Sequence, residues 1–143
     1  MGSTAPLQAI EGNNLARMEI RVGQSASITR RVRHVDTAEA AGSGDLPVLG
    51  TPTLIAWLEA ASVEVCGSTD EETTVGTRVG VDHNRASKVG SMVKCTATVA
   101  EIDGRLLTFK VKATMEIDGQ EVLVGRGVVT RAIVDRQRFM DKL

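Results

Sequence analysis

TPTLIAWLEAASVEVCG, residues 51 to 67, is the clearest helix in the chain. Thr51 is a good N-cap, and Pro52 suits a first turn where its missing N–H costs nothing. Gly67 supplies the stop. Thr53 to Cys66 is apolar nearly all round, and a helix with no wet face belongs in the middle of a fold. One charge interrupts it, Glu59; Glu64 comes near the end, where solvent is easily reached.

Beyond the helix the patterning changes period. Val75, Thr77, Val79, Val81 and His83 share one strand face, with Arg78, Gly80 and Asp82 on the other. Gly90 to Ile102 groups Val93, Cys95, Ala97 and Val99, and Asp103-Gly104 is tight-hairpin chemistry. Leu107, Phe109, Val111, Ala113, Met115 and Ile117 then alternate with polar residues, giving one wet and one dry face. Asp118-Gly119 repeats the turn signal, and Glu121 to Asp135 reads as a last strand in which Gly125 and Gly127 mark a bulge or a close approach.

Before the helix, Ala26 to Val35 alternates as a strand with Ile28, Val32 and His34 on one face. Asp36 to Gly50, DTAEAAGSGDLPVLG, has the length and composition of a lid or binding loop. Residues 1–24 are weakly patterned and read as a loose N-terminal segment, leaving 25–143 as a single domain. The expected order is strand, lid loop, buried helix and four strands in an antiparallel meander: an α+β architecture, the hotdog fold in outline, with a curved sheet of about five strands around a central helix. One such sheet covers only one side of its helix, and pairing two sheets edge to edge protects the edges, so a two-fold homodimer is expected.

Composition narrows the function. A net charge of −1 over 143 residues offers no broad basic surface for nucleic acid. The one arginine cluster, Arg30, Arg31 and Arg33, reads as a solvated strand face. No apolar run approaches the roughly 20 residues that cross a bilayer, and the first residues lack the charged and long apolar regions expected of a secretory signal. Cys66 and Cys95 form no CxxC, and with only His34 and His83 there is no zinc motif. A cytoplasmic protein without metal is expected. Phosphate-loop, dinucleotide-fingerprint and GxSxG spacings are all missing.

Three polar residues fall where the pattern says the chain is dry. Glu59 sits among Ile55, Trp57, Leu58, Ala60 and Val63. A buried carboxylate takes up a proton or finds partners, which suits a catalytic acid or base and equally a structural group satisfied by backbone. Thr51 lies eight residues earlier, about 12 Å along the axis and about 80° round it, so the two flank a small substrate without touching. Its plain role is to cap the helix, whose free N–H groups also suit a carbonyl oxygen gaining charge. His83 ends a strand beside Val79 and Val81, as a core histidine does; within reach of Glu59 or Thr51 it would move protons near neutral pH. His34, beside the arginines, reads as structural.

The stretches VLGTPTLIAWLEAASVEVC, VGTRVGVDHNRASKVGSMV, VAEIDGRLLTFKVKA and VGRGVVTRAIVDRQRF resemble the fluoroacetyl-CoA thioesterase family of hotdog proteins. The resemblance spans Val48 to Phe139, and its strongest points are the T-x7-E spacing of the helix and the G-T-x5-H strand after it. It implies a catalytic set at Thr51, Glu59 and His83, with Gly76 and Arg131 near the acyl group. The family enzyme has phenylalanines in the lid, one acting as a gate. Leu46-Pro47-Val48-Leu49 stands there instead, so Leu46 becomes the candidate acyl contact, and Asp82 replaces the threonine before the histidine. The acyl group therefore stays open.

Hydrolysis of an acyl-CoA thioester to free acid and CoA, with no cofactor, is the expected activity. The carbonyl would sit near Thr51, with helix N–H groups or Gly76 at its oxygen and His83 moving the proton. Glu59 would activate water or attack directly, two routes that sequence leaves equal. Lys88, Arg85 or Arg30 to Arg33 would meet the CoA phosphates. Two other classes are an enoyl-CoA hydratase, whose histidine would lie at the helix and not on a strand, and a non-catalytic acyl-CoA or small-ligand binding module.

Overall fold

The computed structural model describes residues 18–143, so the N-terminal segment lies outside the described part through residue 17. The elements are β1 (Ser25–Arg31), α1 (Ala38–Ala41), α2 (Thr51–Cys66), β2 (Glu72–His83), β3 (Met92–Asp103), β4 (Leu106–Ile117), β5 (Gln120–Asp135) and α3 (Arg136–Asp141). A 3-10 turn covers His34–Asp36.

The five strands form one antiparallel sheet in the order β1-β3-β4-β5-β2. The expected meander holds for β3, β4 and β5. Both of its turns are two-residue loops, with Asp118 and Gly119 at positive φ (52° and 78°) as a primed turn requires. The position of β2 corrects the expectation. It passes over the whole meander to pair with β5, and its other edge carries no strand among the described residues.

β1 is shorter than its pattern suggests. The Asp36 carboxylate accepts from the Arg33 backbone N–H at 2.8 Å and from its side chain at 3.1 Å, pulling the chain into the 3-10 turn. His34 is thereby exposed on that turn and not on the strand face. At the other end α3 follows β5, with the Asp135 carboxylate accepting from the Arg138 N–H as its cap.

α2 packs Leu54, Trp57, Leu58, Ala61 and Val65 against Val93, Ala97, Val99, Leu107 and Phe109 of the sheet. Fully burying a Leu or Phe side chain stabilises by roughly 1.5–3 kcal/mol, so this one layer of contacts holds the helix in place. The opposite side of the helix is not dry. Pro52, Ala56 and Val63 are exposed and Ile55, Glu59 and Ala60 half-buried, a stripe that this chain's own sheet leaves uncovered.

The two late glycines are close approaches. A Cβ on Gly127 would collide with the Gly80 carbonyl, and one on Gly125 would lie 2.7 Å from the Asp82 carbonyl.

Candidate active site

The site is shaped by one irregularity of β2. Gly76 pairs with Arg131, but the next paired residue is Arg78, opposite Thr130, so Thr77 is an extra residue in the strand. A bulge of this kind reverses the alternation of side chains beyond it. Thr74 and Gly76 therefore face inward before the bulge, and Val79, Val81 and His83 face inward after it. Thr77 points the other way, its hydroxyl 2.9 Å from that of Thr130. The single face expected for Val75 through His83 is thus two half-faces, with Val75 and Thr77 removed from the inner one.

Thr51 and His83 meet. Thr51 Oγ1 lies 2.8 Å from His83 Nδ1. Thr51 is not the N-cap: Gly50 takes that place, in extended conformation and without a side-chain cap bond, leaving the threonine hydroxyl free for the imidazole. The Gly50 N–H is held by the Asp36 carbonyl at 3.0 Å, which fixes the helix start. The N–H groups of Thr51 and Thr53 find no backbone partner among the described residues. His83 Nε2 is shielded and has no hydrogen-bond partner among them either. Burial pushes the imidazole below its ordinary range, with the Arg85 backbone partly offsetting the effect.

Glu59 belongs to a second group. Its Oε2 lies 3.5 Å from Arg131 Nη1, and it occupies the space a Cβ on Gly76 would fill, 2.5 Å from that position. The glycine expected near the acyl group is thus the seat of the carboxylate. Arg131 is buried, donating from Nε to Thr74 Oγ1 at 2.9 Å and from Nη2 to the Thr74 carbonyl at 3.2 Å. Glu59 is less dry than the helix pattern indicates, its side chain 33% exposed, because it lies at the border of the uncovered stripe.

Within one chain, then, Thr51 joins His83 and Glu59 joins Gly76 and Arg131, and no hydrogen bond links the two groups. The eight-residue offset separates them by about 12 Å along the helix. α2 and β2 run in opposite directions, so both groups lie along the same helix–strand seam. Leu46 stays exposed in the lid loop, where its carbonyl accepts from the Glu39 N–H. The buried apolar residue of the same stretch is Leu49. Thr74 was missed by the pattern, and its signal is the two-residue spacing to Gly76, which puts both on one face.

Comparison with known proteins places the family and the fold. The fluoroacetyl-CoA-specific thioesterase family matches residues 32–137. The chain belongs to that family. A solved structure of the fluoroacetyl-CoA thioesterase FlK superposes with a TM-score of 0.76 at 26% identity, over 87% of this chain and 95% of that one. A thioesterase superfamily member from Thermus thermophilus gives 0.77 at 20% identity, over 86% and 90%. A hot-dog-like protein from Thermanaerovibrio acidaminovorans gives 0.77 at 19% identity over the same shares. The fold is the hotdog fold. No curated protein sequence matches.

Proposed function

We propose that this member of the fluoroacetyl-CoA-specific thioesterase family hydrolyses the thioester of an acyl-CoA, with Thr51, His83 and Glu59 as its catalytic residues. The observation that carries the reading is the 2.8 Å contact between the Thr51 hydroxyl and His83 Nδ1 at the exposed start of α2. A hydroxyl on an imidazole whose neutral form burial favours is a pairing suited to moving a proton in acyl transfer. Nε2 has no hydrogen-bond partner among the described residues, and an orphaned buried polar atom suits a group that meets a substrate. The thioester carbonyl would rest near Thr51, its oxygen facing the unpartnered N–H groups of Thr51 and Thr53 and the positive end of the helix. No cofactor enters this scheme beyond the substrate's own CoA. Arg85 and Lys88, on the loop after His83, are the cations suited to its phosphates.

The reading includes a two-fold dimer through the open edge of β2. Antiparallel pairing about an axis near Val79 and Gly80 would set Gly76, with Glu59, opposite the partner's His83. It would also cover the exposed stripe of α2. The two groups that one chain holds apart would then form one site.

Thiol release from a panel of short, branched and aryl acyl-CoAs tests the activity, with Glu59→Gln and His83→Ala each expected to lower turnover by orders of magnitude. Release at the wild-type rate from either variant would remove that residue from the mechanism. Mixing the two inactive variants tests the shared site, since a mixed dimer would contain one intact site and recover activity. A binding module would take up CoA esters and release no thiol.

A further inference from the structure

We propose that Thr74 is a positioning residue for the reaction, a double acceptor that aims the Arg131 guanidinium at Glu59. The inference rests on the thioesterase reading of Glu59 given above.

Arg131 carries a permanent charge, and its side chain is only 8% exposed. A cation so buried requires hydrogen-bond partners, and its carboxylate neighbour supplies a loose one at 3.5 Å. The tight partners both come from Thr74, whose hydroxyl takes Nε at 2.9 Å and whose carbonyl takes Nη2 at 3.2 Å. Two bonds from one residue fix the plane and the rotation of a rigid fork. The remaining nitrogen, Nη1, then has one direction to point, toward Glu59 Oε2. Gly76 completes the seat, since the same missing Cβ lies 2.5 Å from Oε2 and 3.4 Å from Nη1.

The local fold explains why residue 74 has this reach. Arg131 is opposite Gly76, and Thr74 is opposite Ile133, so Thr74 is the diagonal inward neighbour of Arg131. Thr74 is itself buried, with the Cys66 thiol beside its hydroxyl. An inward, buried strand position is ordinarily filled by an apolar β-branched residue. Valine matches threonine in shape and lacks only the acceptor. What the hydroxyl adds is orientation of the arginine.

The test compares Thr74→Val with Thr74→Ser in the full chain. Turnover of the best acyl-CoA substrate should fall roughly tenfold or more in the valine variant, with KM within about twofold, because one hydrogen bond to a charged group is lost. The serine variant should recover most of it. A purely structural role would instead lower the melting temperature of both variants and spare kcat in the protein still folded. The Arg131 Nε–H, followed by NMR, should be protected from solvent exchange in the wild type and in Thr74→Ser, and should lose protection in Thr74→Val. Fast exchange of that proton in the wild type, or full kcat in Thr74→Val, would overturn the proposal even if one variant fails to fold. If the wild type releases no thiol from any acyl-CoA, the thioesterase reading falls and the catalytic part of this proposal falls with it. The NMR result then judges the clamp alone.

Discussion

Replacing Gly76 by alanine is the smallest change that reaches Glu59 without touching it. The added methyl would lie 2.5 Å from Oε2, 3.4 Å from Arg131 Nη1 and 3.7 Å from the Glu59 carboxyl carbon. Ordinary contact begins near 3.4 Å, so the carboxylate must retreat by the difference, about 0.9 Å. The end of a glutamate side chain can make that move, and Gly76 has no left-handed backbone to strain. Stability should therefore change little, and a glycine-to-alanine exchange within a strand can even raise it. Catalysis should not escape. A misplacement of about 1 Å in a reacting group costs on the order of a hundredfold, so kcat should fall between tenfold and a hundredfold with the melting temperature within a few degrees. Steady-state thiol release across a substrate series measures it. Because Gly76 acts through Glu59, the same exchange in a Glu59→Gln background should cost little more. Full kcat in folded Gly76→Ala would refute the assignment of Glu59 to the reacting centre, and a full additional loss in the double variant would show that Gly76 acts by another route.

The lowered His83 titration gives a pH prediction. The imidazole must be neutral to accept a proton, so the acid limb of kcat/KM should lie below the ordinary histidine value of 6.5 and should change shape in His83→Ala. The unfolded chain takes up that proton more readily than the folded one. Chemical denaturation should accordingly show stability falling as the pH drops from 6.5 through the folded value, and the same slope in His83→Ala would exclude this residue as its source. Gly127→Ala drives a methyl into the Gly80 carbonyl, a backbone atom that cannot swing aside, and should cost roughly 1–3 kcal/mol or more in denaturant titration. An unchanged midpoint would mean that the two strands part easily. Finally, burial pushes the Cys95 thiol up to about 12 and raises Cys66, so the native protein should react with Ellman's reagent only after unfolding. Rapid labelling of the native protein would show that its core opens.

Much of the fold is legible in local chemistry. A mostly apolar run ended by glycine gives α2, and Asp-Gly pairs give both hairpins of β3, β4 and β5. The position of β2 has no such mark, because pairing with β5 is decided by the whole sheet and not by any turn. Thr51 reads as a cap because threonine before proline satisfies a local rule. The chain lets Gly50 start the helix and spends the hydroxyl on an imidazole 32 residues away. Glu59 reads as dry because the helix is averaged over all its sides. Its exposure follows from coverage by a single sheet, which periodicity along the helix cannot report.

The bulge at Thr77 is the deeper reason that periodicity alone does not bring Thr74 and Gly76 to the face of His83. Gly76 and His83 are seven residues apart, an odd number, so a regular strand would turn one toward α2 and the other away. Both face the helix, and that is possible only if the alternation reverses once between them. The G-T-x5-H spacing therefore already contains the bulge. A strand whose two inward residues have odd separation must carry an irregularity, and its place is limited to the residues between them. Here it falls directly after the glycine on which Glu59 rests. Thr74 and Gly76 consequently share a face with His83 although the period-two pattern assigns them to opposite sides. One extra backbone residue joins the seat of the carboxylate to the seat of the imidazole along a single edge strand. It does so without any side chain whose type would announce it.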